Sequence, residues 1–183
     1  MARMLAPPLA TLVLVLTGCG GDGAGGGGDD AVDARTWAES VCGSVREWVD
    51  ETEARSEVFQ SDQPTSLEEA RTMMVELLDG VAADGDEAVS EIQAAGTPDV
   101  ERGEETRDAF ARVVERNLEE VRARRDEFEG LDPDDPQFQG DYESVFNRMA
   151  EGRGFDEAFE GEVDPEVSEA FDEVEDCRTI RDL

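Results

Sequence analysis

The stretch Asp132-Pro133-Asp134-Asp135-Pro136-Gln137-Phe138-Gln139-Gly140-Asp141-Tyr142-Glu143 spaces oxygen ligands much as a calcium loop does. Asp132, Asp134 and Glu143 fall at the first, third and twelfth positions of an EF-hand register. Pro136 at the fifth position offers no side-chain ligand, however, and Gln137 stands where the sharp turn needs glycine. Acids are so frequent in this chain that the expectation is a capped acidic turn and no metal site, with those three residues as the metal candidates. The basic island Arg112, Arg116, Arg122, Arg124 and Arg125 could dock an anion. Asp108 and Arg112, like Glu120 and Arg124, are spaced i,i+4 with the acid first, so an ion-paired solvated face is expected instead. Paired carboxylates could serve glycoside hydrolysis, but no pair stands out, and two Trp and one Tyr give little to stack a sugar on.

The residue types that are missing exclude more than those present suggest. All 16 basic residues are Arg, and the chain has no His. Ser–His–Asp, Cys–His and Ser–Lys catalysis, His-based zinc sites, Schiff bases and the P-loop lysine are therefore absent. No enzymatic activity and no cofactor are expected. The 183 residues carry 48 Asp and Glu, for a formal net charge of −32. Phosphate backbones and anionic lipid surfaces repel such a chain, so neither nucleic acid nor a polybasic membrane contact is an expected partner.

At the N-terminus, Met1-Ala2-Arg3 is a short positive region, followed by an apolar run from Met4 to Val15. That run is too short for the ~20 residues a bilayer-spanning helix needs, and no Ala-x-Ala-like site closes it. It ends in Leu16-Thr17-Gly18-Cys19, which resembles the lipobox of bacterial lipoproteins. The resemblance implies that signal peptidase recognises Leu16, Thr17 and Gly18. Cys19 then becomes the lipidated first residue of a mature protein anchored on the extracytoplasmic face of the cell membrane. Acyl chains on one residue suffice for stable anchoring without a basic patch. Residues 1–18 are thus the signal peptide and 19–30 a Gly-rich tether, whose dozen residues reach roughly 20 Å. The remaining 31–183 fit one domain. Losing 1–18 removes Arg3 and no acid, which deepens the negative charge by one unit.

Once Cys19 is lipidated, Cys42 and Cys177 are the thiols that remain, in an oxidising compartment. Their disulfide is then the expected pairing, against two separately buried thiols. Cys42 lies early in its helix and Cys177 late in its own, which would set the last helix antiparallel to the first.

The elements that must position these residues read as helices. Trp37, Val41, Val45, Trp48, Val49 and Thr52 form one stripe, and the two Trp, about three turns apart, are expected in the core. Ser66-Leu67-Glu68-Glu69 is a capping-box pattern. It opens a second helix with Leu67, Ala70, Met74, Leu77, Leu78, Val81, Ala88 and Ile92 inward, stopped by Gly96. Gly85 falls on that stripe, where a neighbouring helix is expected to approach closely. Thr97-Pro98-Asp99 reads as the start of a third helix, with Phe110, Val113, Val114, Asn117, Val121 and Phe128 inward and Gly130 at its end. Asn117 is expected to be a core polar residue with its hydrogen bonds met. After a loop over 131–140, a shorter helix carries Tyr142, Val145, Phe146 and Met149 and ends near Gly152 or Gly154. Phe155, Ala158 and Phe159 form another turn. Asp164-Pro165-Glu166 caps a last helix with Val167, Ala170, Phe171, Val174 and Cys177 inward.

The expected fold is all-α, an antiparallel up-and-down bundle of four to five helices with the first and last joined by a disulfide. The lipobox, the Gly-rich tether, the Trp37-to-Trp48 helix, the Ala-Ala-Gly-Thr-Pro-Asp turn at 94–99 and the late Cys177 together resemble small secreted lipoproteins of high-GC Gram-positive bacteria. The resemblance implies a surface-anchored helical domain and supplies no activity. An interaction or structural module with an envelope-protein partner is the first expectation, and a groove for an apolar or cationic small ligand the second. A deep apolar pocket lined by Trp37, Trp48 or Phe110 would favour the second.

Overall fold

Each long helix begins where a side chain can satisfy its first free N–H groups. Asp33 accepts from the Thr36 backbone N–H at 3.0 Å and starts α1, Ala34–Ser61. The bonds from Thr36 hold the Asp33 carboxyl below its usual range. Ser66 accepts from the Glu69 N–H at 3.1 Å and starts α2, Leu67–Ala94. The return half of the capping box is displaced by one residue, because the Glu69 carboxylate accepts from the hydroxyl and the N–H of Thr65, both at 2.6 Å. The Thr65 hydroxyl and N–H together lower the Glu69 pKa.

The structure is a computed structural model that describes residues 31–150, 155, 158–159 and 163–181. Two-residue strands β1, Ala31–Val32, and β2, Thr97–Pro98, pair in parallel, with Ala31 opposite Thr97 and Val32 opposite Pro98. Then follow α3, Gly103–Glu129; α4, Phe138–Ala150; α5, Pro165–Glu173; and α6, Glu175–Arg181. The fold is all-α, with six helices among the described residues. α2 packs along both α1 and α3.

Helix two runs unbroken through Gly80 and Gly85. A Cβ on Gly85 would lie 2.8 Å from Leu118 Cδ1 and 2.9 Å from the Trp48 ring. The glycine therefore admits the close approach of α1 and α3 to α2, and helix propensity is traded for packing. The Trp48 ring nitrogen donates to the Val81 carbonyl at 2.9 Å, which fixes the indole against α2.

The third helix starts five residues later than Thr97-Pro98-Asp99 suggests. Those residues are drawn into extended backbone beside β1, and the Asp99 N–H donates to Val32 O at 2.7 Å. Thr97 does not cap a helix; its hydroxyl accepts from Arg107 at 2.9 Å. Gly103 then begins α3 under Pro98, where an added Cβ would lie 2.0 Å from the Pro98 carbonyl oxygen. The inward position on α3 also differs by one residue: Leu118 is buried and Asn117 only half-buried. Leu67 and Phe146, expected on apolar faces, are exposed.

The last helix is two helices. Asp164 caps α5 by accepting from the Glu166 N–H at 3.0 Å, with Pro165 in the first turn. Val174 then adopts extended backbone and redirects the chain into α6. Cys42 and Cys177 form a disulfide, with Cα atoms 5.0 Å apart. The bond joins the first helix to the last, as expected, and Arg35 of α1 also pairs with Glu173 of α5.

Two apolar cores result. The larger centres on Trp37, Phe110 and Phe171, with ring centroids 5.7–6.0 Å apart. The smaller joins Met74, Leu78, Phe128 and Val145.

Candidate functional site

Among the described residues, the seam between the two cores is open. A cavity of about 260 Å³ lies between α1 and α3. Leu78 and Val81 of α2 contribute to its walls, as do Trp48, Val49 and Thr52 of α1. α3 adds Asn117 and Val121, α4 adds Met149, and Phe155 also lines it. Trp48 and Phe155 meet edge to face at 5.9 Å. Such a volume exceeds the roughly 150 Å³ of an apolar cavity that holds benzene and approaches the lower end of ordinary ligand pockets.

Four charged side chains, Glu53, Glu120, Arg124 and Arg148, also line the cavity. Glu127 takes both arginines, with Oε1 accepting from Arg124 and Oε2 from Arg148. Arg148 also donates to Ser144 Oγ at 2.7 Å. Glu53 and Glu120 make no ion pair among the described residues. Asn117 likewise makes no side-chain hydrogen bond to another described residue, so it is a polar group facing the cavity and not the satisfied core residue expected.

The sequence candidates distribute as follows. Leu16, Thr17, Gly18 and Cys19, and the tether to residue 30, lie outside the described residues, as do Gly152 and Gly154, where the fourth helix is expected to end. Trp37 is fully buried and Trp48 nearly so, but one edge of Trp48 reaches the cavity. Asp132 sits in turn geometry before α4, its Oδ1 accepting from the Asp134 N–H at 3.0 Å, whereas Glu143 lies within α4 and accepts from Gln139 Nε2 at 3.2 Å. Among the described residues no group of three His, Cys, Asp or Glu is placed to hold a metal ion.

Arg122, Arg124 and Arg125 of the arginine island are ion-paired, though not through the pairs the spacing suggests. Asp108 is taken by Arg107, and Arg124 by Glu127. Arg122 reaches Asp86 at 2.6 Å, and Arg125 reaches Asp79 at 2.8 Å, so these charges fasten α3 to α2. Exposed pairs of this kind add little stability each.

Sequence reasoning passed over Glu53, Arg148 and Phe155 as members of one site. Asn117 was the available signal, since a polar residue on an apolar stripe marks either a satisfied core group or a cavity wall. No described helix is long and apolar enough to cross a membrane. No family model matches the chain, and neither a curated protein nor a solved structure matches it.

Proposed function

We propose that this is a lipid-anchored protein of the extracytoplasmic membrane face whose helical domain binds a small ligand in the cavity between α1 and α3. The observation that carries the binding part is the unfilled apolar cavity, walled by Trp48, Val81, Val121, Met149 and Phe155. Folded cores pack near crystal density, so an open space of this size with convergent polar groups is the default ligand site. Leu16-Thr17-Gly18-Cys19 supports the anchor.

Two measurements test the parts separately. Labelled palmitate should enter the wild-type protein in cells and should be absent from a Cys19→Ala variant; equal labelling of the two defeats the anchor. Indole, a neutral aromatic probe, at about 100 times its Kd should stabilise the domain by about 2.7 kcal/mol, a rise of several degrees in Tm. Val121→Trp fills the cavity and should abolish that rise. No rise in the wild type, or the same rise in the variant, removes the ligand-binding reading.

A specific observation supports the other reading, an interaction module. Val58 and Leu67 stand 63% and 48% exposed at the α1–α2 turn, about 40 Å from the start of α1. Failure of the indole test would leave that surface as the better basis for function.

A further inference from the structure

We infer that the ligand of this cavity is an amphipathic monocation: an apolar body of about one ring with a short chain, carrying a single ammonium group. The inference rests on the ligand-binding reading above and adds the chemical class. Its first support is the division of charge around the cavity. Arg124 and Arg148 share Glu127, so their donors are already directed at a carboxylate. Glu53 on α1 and Glu120 on α3 contribute two carboxylates that pair with no described residue. An anionic ligand would have to displace Glu127 from two arginines and accept two neighbouring carboxylates. A cation meets both carboxylates directly.

The walls give the second support. Trp48 and Phe155 present aromatic surface and Met149 a polarisable thioether. Aromatic rings attract an ammonium through their quadrupole, most strongly where water is partly excluded. Among the described residues, one cation against two carboxylates and one shared Arg–Glu–Arg group brings the formal charge of the lining to zero, whereas a dication would exceed it. The formal charge of −32 on the whole chain raises the local concentration of any cation, but it does not select an apolar one. Selection comes from the combination of rings and acids at one cavity.

The test uses three probes of matched length on the folded domain, measured by calorimetry at physiological salt: a phenylalkyl trimethylammonium, its tert-butyl carbon isostere, and the phenylalkyl carboxylate. The ammonium should bind about tenfold tighter than the isostere, with the carboxylate weakest. In the Glu53→Gln/Glu120→Gln double variant the advantage over the isostere should fall to about threefold or less. A Glu115→Gln/Glu119→Gln control, which removes the same charge from the exposed face of α3, should keep it. Equal affinity of ammonium and isostere overturns the cationic class and leaves the cavity reading standing. A preference that survives in the Glu53/Glu120 variant assigns it to the overall field and also overturns the class. Binding of none of the three, together with no effect of indole, removes both readings. Unchanged Tm in both double variants confirms that the comparison reports on binding.

Discussion

Replacing Cys42 and Cys177 together by alanine is expected to lower the stability of the domain by about 2–4 kcal/mol, with about 5 as the ceiling from chain entropy alone. The sulfurs join residues 135 positions apart, so the cross-link closes nearly the whole domain and removes a large loop entropy from the unfolded chain. Alanine is the informative replacement because both cysteines are fully buried, and serine would add two hydroxyls to an apolar site. The effect should concentrate on the C-terminal segment. α5 and α6 are short helices of 9 and 7 residues, too short to persist without docking on α1. Denaturation of the variant should show a lower midpoint and a steeper denaturant dependence, since the uncrosslinked unfolded state exposes more surface. Hydrogen exchange should quicken first over 165–181. Equal midpoints for oxidised wild type and variant would refute the expectation.

The helices were legible because their apolar residues recur with the period of a helix over many turns, and because Ser66 and Asp164 are capping residues at the right places. Gly85 was legible for a related reason: a glycine on an apolar stripe is tolerated where something must come close, and Trp48 and Leu118 do. The start of α3 was not legible. Thr97-Pro98-Asp99 has N-cap chemistry and also extended-backbone chemistry, and what decides between them is β1, far away in the chain. The one-residue rotation that buries Leu118 and turns Asn117 to the cavity is also a tertiary outcome, since either residue fits the edge of the stripe. The same holds for ion pairs. Arg122 and Arg125 have acids within one turn on their own helix, yet reach Asp86 and Asp79 on α2 as well.

The candidate site was the least legible part. Trp48, Asn117 and Met149 were each noticed for their type, but a cavity is a deficit of volume among several elements and leaves no pattern in any one of them. Charge partition was equally hidden. Glu120 has the spacing to pair with Arg124, and only the position of α4, which brings Arg148 to Glu127, shows why Arg124 turns the other way. The acidity of the chain is thus of two kinds. Most carboxylates cap helices, pair with arginine or face solvent, whereas Glu53 and Glu120 border an apolar space.

Phe171→Ala is expected to cost about 3–5 kcal/mol, the range for truncating a fully buried aromatic side chain. Phe171 is 1% exposed, and its ring meets Trp37 at 6.0 Å, Phe110 at 5.8 Å and Phe159 at 5.0 Å. It therefore joins α5 to both α1 and α3 at the centre of the larger core. Relaxation can recover little of the lost contact, because Trp37 and Phe110 are each held by long helices that cannot shift without disturbing the packing along α2. Phe146→Ala is the matched control: that ring is 43% exposed, and its loss should change stability by no more than about 0.5 kcal/mol. Phe171 and the disulfide also fasten the same segment to α1, so their losses should not add. Once the cross-link is gone, part of what Phe171 holds is already loosened, and the triple variant Phe171→Ala/Cys42→Ala/Cys177→Ala should fall short of the sum by about 0.5–3 kcal/mol. Simple additivity would mean that α5 and α6 dock independently, as the break at Val174 would allow if the two helices were separate units. Subadditivity would mean that the larger core, through Phe171, and the disulfide, through Cys177, hold one cooperative C-terminal segment in place.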